Sequence, residues 1–84
     1  MNNIEWSKKA VRQLRKIHTM EAKRIHNAVS ELANLETCNN VKKLANFQYD
    51  YRLRVGNYRV FFNHDKTVQI VWIEEVKKRD ERTY

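Results

Sequence analysis

An α+β fold in the order β-α-α-β-β-β is predicted by three features of the 84-residue chain. Apolar residues recur at three- and four-residue spacing as far as Leu35, strict alternation starts at Tyr51, and the only glycine stands where a hairpin must turn. At this length one domain, residues 1–84, closes over roughly 60% of the surface its unfolded chain exposes. With no proline and 42% hydrophobic residues, the composition is that of short regular elements tightly joined rather than of a disordered basic tail.

The elements follow in order. Ile4 and Trp6 flank Glu5 and start a short strand over Asn3 to Trp6, after which the Ser7 hydroxyl caps a helix beginning near Lys8. Ala10, Val11, Leu14 and Ile17 form its apolar stripe, and Lys8, Lys9, Arg12, Arg15 and Lys16 fall elsewhere on the wheel. Thr19 is the expected cap of a second helix, whose stripe runs through Ala22, Ile25, Val29, Leu32 and Leu35 and ends before Cys38. The break between the helices is short, so they form an αα-hairpin. A connector carrying Val41, Leu44 and Phe47 leads to the alternating run Tyr51, Leu53, Val55, and Gly56-Asn57 turns it into Tyr58 to Phe62. A third run, Val68 to Ile73, is apolar on both faces and reads as an inner strand.

A two-residue turn at Gly56-Asn57 sets the register. Arg54 then lies opposite Arg59, and Arg52 opposite Phe61, so three arginines share one face while Tyr51, Leu53, Val55, Tyr58, Val60 and Phe62 meet the helices on the other. Like charges directly across a strand pair are destabilising, and a polyanionic ligand would remove that cost. Phe61 beside the arginines reads as a base-stacking platform. The strand after the hairpin runs on into Lys77, Lys78, Arg79 and Arg82 and closes on Tyr84, so its continuation delivers Arg79 and Tyr84 near the arginine face.

Composition narrows the partners. Seventeen Lys and Arg against ten Asp and Glu leave a formal charge of +7, which points to polyanions or an acidic protein and away from neutral small molecules. A lone Cys38 forms no internal disulfide and fits a reducing cytoplasm. No apolar run approaches the ~20 residues of a membrane span, and the N-terminus lacks the layout of a signal peptide, so neither membrane contact nor processing is expected. His18, His26 and His64 have no Cys or carboxylate at ligand spacing, so neither a metal nor a cofactor is expected. Trp6 and Trp72 are expected to fill the core between sheet and helices.

Two stretches, Tyr51-Arg52-Leu53-Arg54-Val55-Gly56-Asn57-Tyr58-Arg59-Val60-Phe61-Phe62 and Ile73-Glu74-Glu75-Val76-Lys77-Lys78-Arg79-Asp80-Glu81-Arg82-Thr83-Tyr84, following an αα-hairpin, resemble the RelE/ParE superfamily of type II toxin–antitoxin toxins. The resemblance spans nearly the whole chain. It implies an antiparallel-dominated sheet with both helices on one face, and, for the RelE-like branch, a ribosome-dependent endoribonuclease that cleaves mRNA in the A site. By the same resemblance Arg52, Arg54, Arg59, Arg79 and Tyr84 occupy the catalytic positions; the basic face and tail themselves add Phe61, Lys77, Lys78 and Arg82 as expected RNA contacts. The partners implied are the ribosome, mRNA and a cognate antitoxin, acidic where it wraps the toxin and set to mask Arg79 and Tyr84.

Such chemistry is attack of a ribose 2′-OH on the adjacent phosphate. Arg54 and Arg59 suit stabilisation of the transition state, because a guanidinium binds non-bridging oxygens bidentately and stays charged. Arg79 suits the leaving group, and Tyr84 a base. Arginine replaces the family's lysines at positions 52 and 54 and is a poor proton acceptor, so the general base is unassigned and in-line orientation by a partner must supply much of the rate. Two alternatives stand beside this reading: a ParE-like toxin that poisons DNA gyrase by protein contact, and a non-catalytic basic RNA- or DNA-binding module.

Overall fold

Ser7 ends the first strand and starts the first helix with one side chain: its Oγ accepts from the Ala10 N–H at 3.0 Å and donates to the Glu74 carbonyl at 3.0 Å. The computed structural model describes residues 1–79. In it β1 (Asn3–Trp6) is followed by α1 (Lys8–Arg15), α2 (Thr19–Ser30), a 3-10 segment (Glu31–Thr37), β2 (Val41–Lys43), β3 (Tyr51–Val55), β4 (Tyr58–Asp65) and β5 (Ile70–Lys78). Among the described residues these strands make one sheet in the order β1-β5-β4-β3-β2, antiparallel except where β1 lies parallel to β5.

The expected α+β class and the antiparallel-dominated sheet hold, with four corrections. The strand count rises by one, because Val41 in the connector pairs with Leu53 and extends the sheet as β2. His18, not Thr19, caps α2: the Met20 N–H donates to His18 Nδ1 at 3.3 Å, and Thr19 is the first helical residue. The α-helical part of the second helix ends at Ser30, and the chain tightens into the 3-10 segment, which keeps Leu32 buried and Leu35 packed against the core. Val68 is exposed and precedes β5, which begins at Ile70 and is an inner strand between β1 and β4.

The core lies between one sheet face and the helices. Leu53, Val55, Val60, Phe62, Val71, Ile73 and Val76 from the strands meet Ala10, Ile25, Val29 and Leu32. Gly56 takes the positive φ (56°) that a tight hairpin requires at its first central residue, and the pairing of Val55 with Tyr58 fixes the register beyond it.

β5 changes parity along its length. Phe61 pairs with Glu75 but the next residue, Phe62, pairs with Ile73, so Glu74 is an extra residue, a β-bulge. The bulge lets Val71, Ile73 and Val76 all reach the core and turns Glu75 and Lys77 to the opposite face. Beyond the end of β1, α1 closes the edge of β5: the Val76 N–H donates to Gln13 Oε1 at 2.6 Å. No helix among the described residues is long and apolar enough to cross a membrane.

Candidate functional site

The helix-free face of the sheet carries the charge. Arg54 pairs with Arg59 and Arg52 with Phe61 across the hairpin, as the turn predicted. β5 sets Lys77 beside Arg59 and Glu75 beside Phe61, and β2 sets Lys42 beside Arg52. Arg79, one residue past β5, is tied to the hairpin turn by its N–H, which donates to the Asn57 carbonyl at 2.6 Å.

These guanidiniums feel one another. Burial, and after it the charges of Arg52, Arg79 and Arg54, push the Arg59 guanidinium down from its ordinary value, so four arginines lie within electrostatic reach of one point. Arginine nonetheless stays protonated in proteins. Arg52 Nε is buried and has no hydrogen-bond partner among the described residues. A donor in that state is a place for an anionic oxygen.

A carboxylate sits among these cations, and the sequence reading gave it no role. Glu75 is 6% exposed; Tyr49 Oη donates to its Oε2 at 3.1 Å, while Lys9 from α1 and Lys77 approach its Oε1 at 3.4 and 3.5 Å. Burial pushes the Glu75 carboxyl up, but the Tyr49 hydrogen bond and then Lys77 and Lys9 outweigh it and hold it below its ordinary value. Glu75 is therefore an ionised anchor that positions two ammonium groups at the rim of the arginine cluster. Tyr49 is pushed up, first by burial and then by Glu75 and Glu74, and keeps its proton.

Phe61 is not the exposed platform expected of it. It is 8% exposed because the loop between β2 and β3, closed by the Leu44 N–H on the Asp50 carbonyl, folds over the face and stacks Phe47 and Tyr49 on it, with ring centroids 5.2 and 5.8 Å away. Of these three stacked rings Phe47, 55% exposed, is the one that solvent meets. Lys78 also departs from expectation: it pairs with Tyr58, whose side chain packs on the core, and so lies on the helix side rather than with the arginines. Tyr84 and Arg82 lie outside the described residues, so of the five expected catalytic residues the structure gathers Arg52, Arg54, Arg59 and Arg79.

Trp72 was expected in the core but stands on the same face as the arginines, 42% exposed, because its strand neighbours Val71 and Ile73 take the inward positions. Trp6 does pack against the core, with His26 stacked on it. Burial and then Glu31 raise the Cys38 thiol, which bonds to backbone carbonyls of Glu31 and Asn34, so it is a poor nucleophile. His64 falls within β4, not in a turn, and its Nε2 meets Asn2 Oδ1 at 3.0 Å. Among the described residues no group of three or more His, Cys, Asp or Glu could hold a metal ion.

The missed residues had a signal. Val71, Ile73 and Val76 break the two-residue period between Ile73 and Val76, where two glutamates intervene in an otherwise apolar strand. That interruption marks the bulge, and with it the side on which Glu75 emerges.

Comparison with known proteins places this geometry. A family model described as the ParE toxin of the type II toxin–antitoxin system, parDE, matches residues 4–83. The RelE–RelB complex of the archaeon Pyrococcus horikoshii OT3 superposes with a TM-score of 0.81 at 22% identity, covering 95% of this chain and 97% of that one. The isolated Escherichia coli RelE toxin gives 0.80 at 14% identity, covering 96% and 87%. The RelB–RelE antitoxin–toxin complex of Methanococcus jannaschii gives 0.70 at 25% identity, covering 88% of each chain. Among curated proteins none matches the chain.

Proposed function

The chain belongs to the ParE toxin family of type II toxin–antitoxin systems, within the RelE/ParE superfamily, and from that premise we propose that it acts as a ribosome-dependent endoribonuclease on mRNA. The observation that carries this reading is the gathering of Arg52, Arg54 and Arg79 around Arg59 on a helix-free sheet face. A scissile phosphate docked there meets Arg54 and Arg59 from adjacent strands. Their guanidiniums bind its non-bridging oxygens and stabilise the phosphorane formed as the ribose 2′-oxygen attacks and gives its proton to solvent; the bond to the 5′-oxygen then breaks, leaving a 2′,3′-cyclic phosphate. Arg79, at the end of the hairpin, faces the leaving 5′-oxygen, and the unsatisfied Arg52 Nε supplies a further donor.

Proton transfer is the weak part of this site. Glu75 is buried and its carboxyl is held below the ordinary range, so it accepts a proton poorly. Rate must then come from holding the 2′-oxygen in line with the leaving group, which a flexible RNA does not do for itself. The ribosome is the partner that presents mRNA in such a geometry, and cleavage of naked RNA is correspondingly slow. The inhibitor is a cognate antitoxin, as in the RelE–RelB complexes that share the fold, and an acidic segment lying on the arginine face would fit the +7 charge.

The ParE name of the matching family favours one other reading, a toxin that inhibits DNA gyrase through protein contact. Mapping mRNA 5′ ends in a translating extract, alongside a gyrase supercoiling assay, separates the two. New ends in phase with codons support the nuclease. Unchanged ends with lost supercoiling support the gyrase reading and overturn the nuclease one.

A further inference from the structure

On the same face, beyond Phe61 as seen from Arg59, Trp72 and Asn63 are cross-strand partners. They border a cavity of about 480 Å3, lined also by Gln48, Asp50, Asp65 and Lys66. We propose that this cavity is a base-recognition subsite that takes an adenine from the RNA strand, stacked on Trp72 and read by Asn63. The proposal rests on the ribonuclease reading for its substrate, but its geometry stands apart from the arginine cluster.

Three observations carry it. First, Trp72 is a large aromatic left 42% exposed on a face built for RNA, and a base stacked on an aromatic ring is a sequence-tolerant source of affinity. Second, the Asn63 amide is locked. Its Oδ1 accepts from the Asp50 N–H at 2.8 Å and its Nδ2 donates to Glu74 Oε2 at 3.2 Å, so the carbonyl and the amine cannot exchange places. Each end keeps one further bonding position, an Oδ1 lone pair and the second Nδ2 hydrogen. An amide that keeps one acceptor and one donor has the groups with which Asn and Gln read the N6 amino group and N7 of adenine.

Third, the surroundings offer acceptors for a donor group. Asp50 and Asp65 line the cavity together with His64 and Lys66, and Glu74 backs Asn63, so an exocyclic amine finds carboxylate acceptors there. With the backbone on the arginines around Arg59, the base reaches these carboxylates. Asn63 lies four residues along β4 from Arg59, roughly 13 Å at strand spacing. The base read is thus a few nucleotides from the bond that is cut, and the subsite would bias cleavage by sequence.

The test uses uncharged nucleosides, which the arginine cluster does not attract. Adenosine, guanosine, cytidine and uridine are titrated against the Trp6→Phe protein, whose remaining tryptophan is Trp72, and quenching is read by fluorescence; amide NMR shifts of the unaltered protein give the same readout should that variant misfold. Adenosine is expected to bind about tenfold more tightly than uridine, with shifts centred on Asn63 and Trp72, and Asn63→Asp is expected to erase that preference. Equal binding of all four nucleosides, a preference for another base, or no binding overturns the proposal. In the translating extract, the Asn63→Asp protein is expected to cut with a flattened base preference. Absence of all cutting by the unaltered protein would overturn the ribonuclease reading alone, since the nucleoside titration decides the subsite without it.

Discussion

Replacing Tyr49 by phenylalanine removes one oxygen from the buried centre of the cationic face and leaves the ring stack on Phe61 in place. In the structure that oxygen donates to a carboxylate which is 6% exposed and otherwise faces Lys9 and Lys77. Both lysines are more than half exposed, so their ion pairs are screened and contribute little. The Tyr49 hydrogen bond is the well-shielded term, and one to a charged acceptor is worth about 1.5–3 kcal/mol. For a domain of this size each kcal/mol moves the melting midpoint by about 4–8 °C, so the variant should melt roughly 8–16 °C lower if it loses about 2 kcal/mol. The pH dependence makes the test specific. With its folded pKa depressed, Glu75 stabilises the protein above its ordinary value of 4.5, and that contribution fades as pH falls through the folded pKa. Without Tyr49, burial carries more weight, the Glu75 pKa rises, and acid destabilisation sets in at higher pH. Urea melts from about pH 7 down to about pH 3 should show the gap between the two proteins widest near neutrality and closing in acid. A variant equal to the unaltered protein at neutral pH, or a gap that ignores pH, would refute this account of Glu75.

Arg59→Ala is expected to lower cleavage in the translating extract by about 10²–10³-fold, the usual cost of one transition-state donor. The substitution also relieves the like charge directly opposite Arg54, worth roughly 0.2–1 kcal/mol, and a urea melt checks that the variant stays folded. Binding of a non-cleavable single-stranded RNA should weaken with salt with a log–log slope of about −3 for four phosphate contacts, and Arg59→Ala should make it shallower by about 0.7. Gly56→Ala should cost about 1–2 kcal/mol in a urea melt. A Cβ there would sit 3.8 Å from Arg24 Nη1, an ordinary contact, so the cost is that of a side chain at φ 56°.

The parts of the fold that depend on local rules were legible. Ser7 as a cap, Gly56 as the turn and the two-residue period of Tyr51 to Val55 gave α1, the β3–β4 register and the gathering of Arg52, Arg54 and Arg59. What escaped depends on contacts distant in sequence. β2 is three residues long with one inward apolar side chain, too short to show a period, and it exists because Val41 finds Leu53. Phe47 and Tyr49 read as connector residues because nothing local states that a loop closed between Leu44 and Asp50 will fold onto Phe61. Trp72 was assigned to the core on hydrophobicity, yet in a strand with Val71 and Ile73 facing inward its parity puts it outside.

The bulge at Glu74 links these surprises. In an unbroken β5, a strand with Val71 and Ile73 facing inward would also turn Glu75 into the core and expose Val76, at the cost of an ionised group in an apolar setting. One extra residue turns the following positions over, so Val76 packs inward and Glu75 emerges beneath Tyr49 and between Lys9 and Lys77. The same residue that restores the core places its own carboxylate on Asn63 Nδ2, next to Trp72. The bulge therefore divides the face into a cationic half around Arg59 and an acidic, aromatic half around Trp72. A uniformly basic face would bind any stretch of RNA in any register. On the proposed ribonuclease reading, a face split in this way would favour phosphate at the Arg59 end and so orient the strand as it binds.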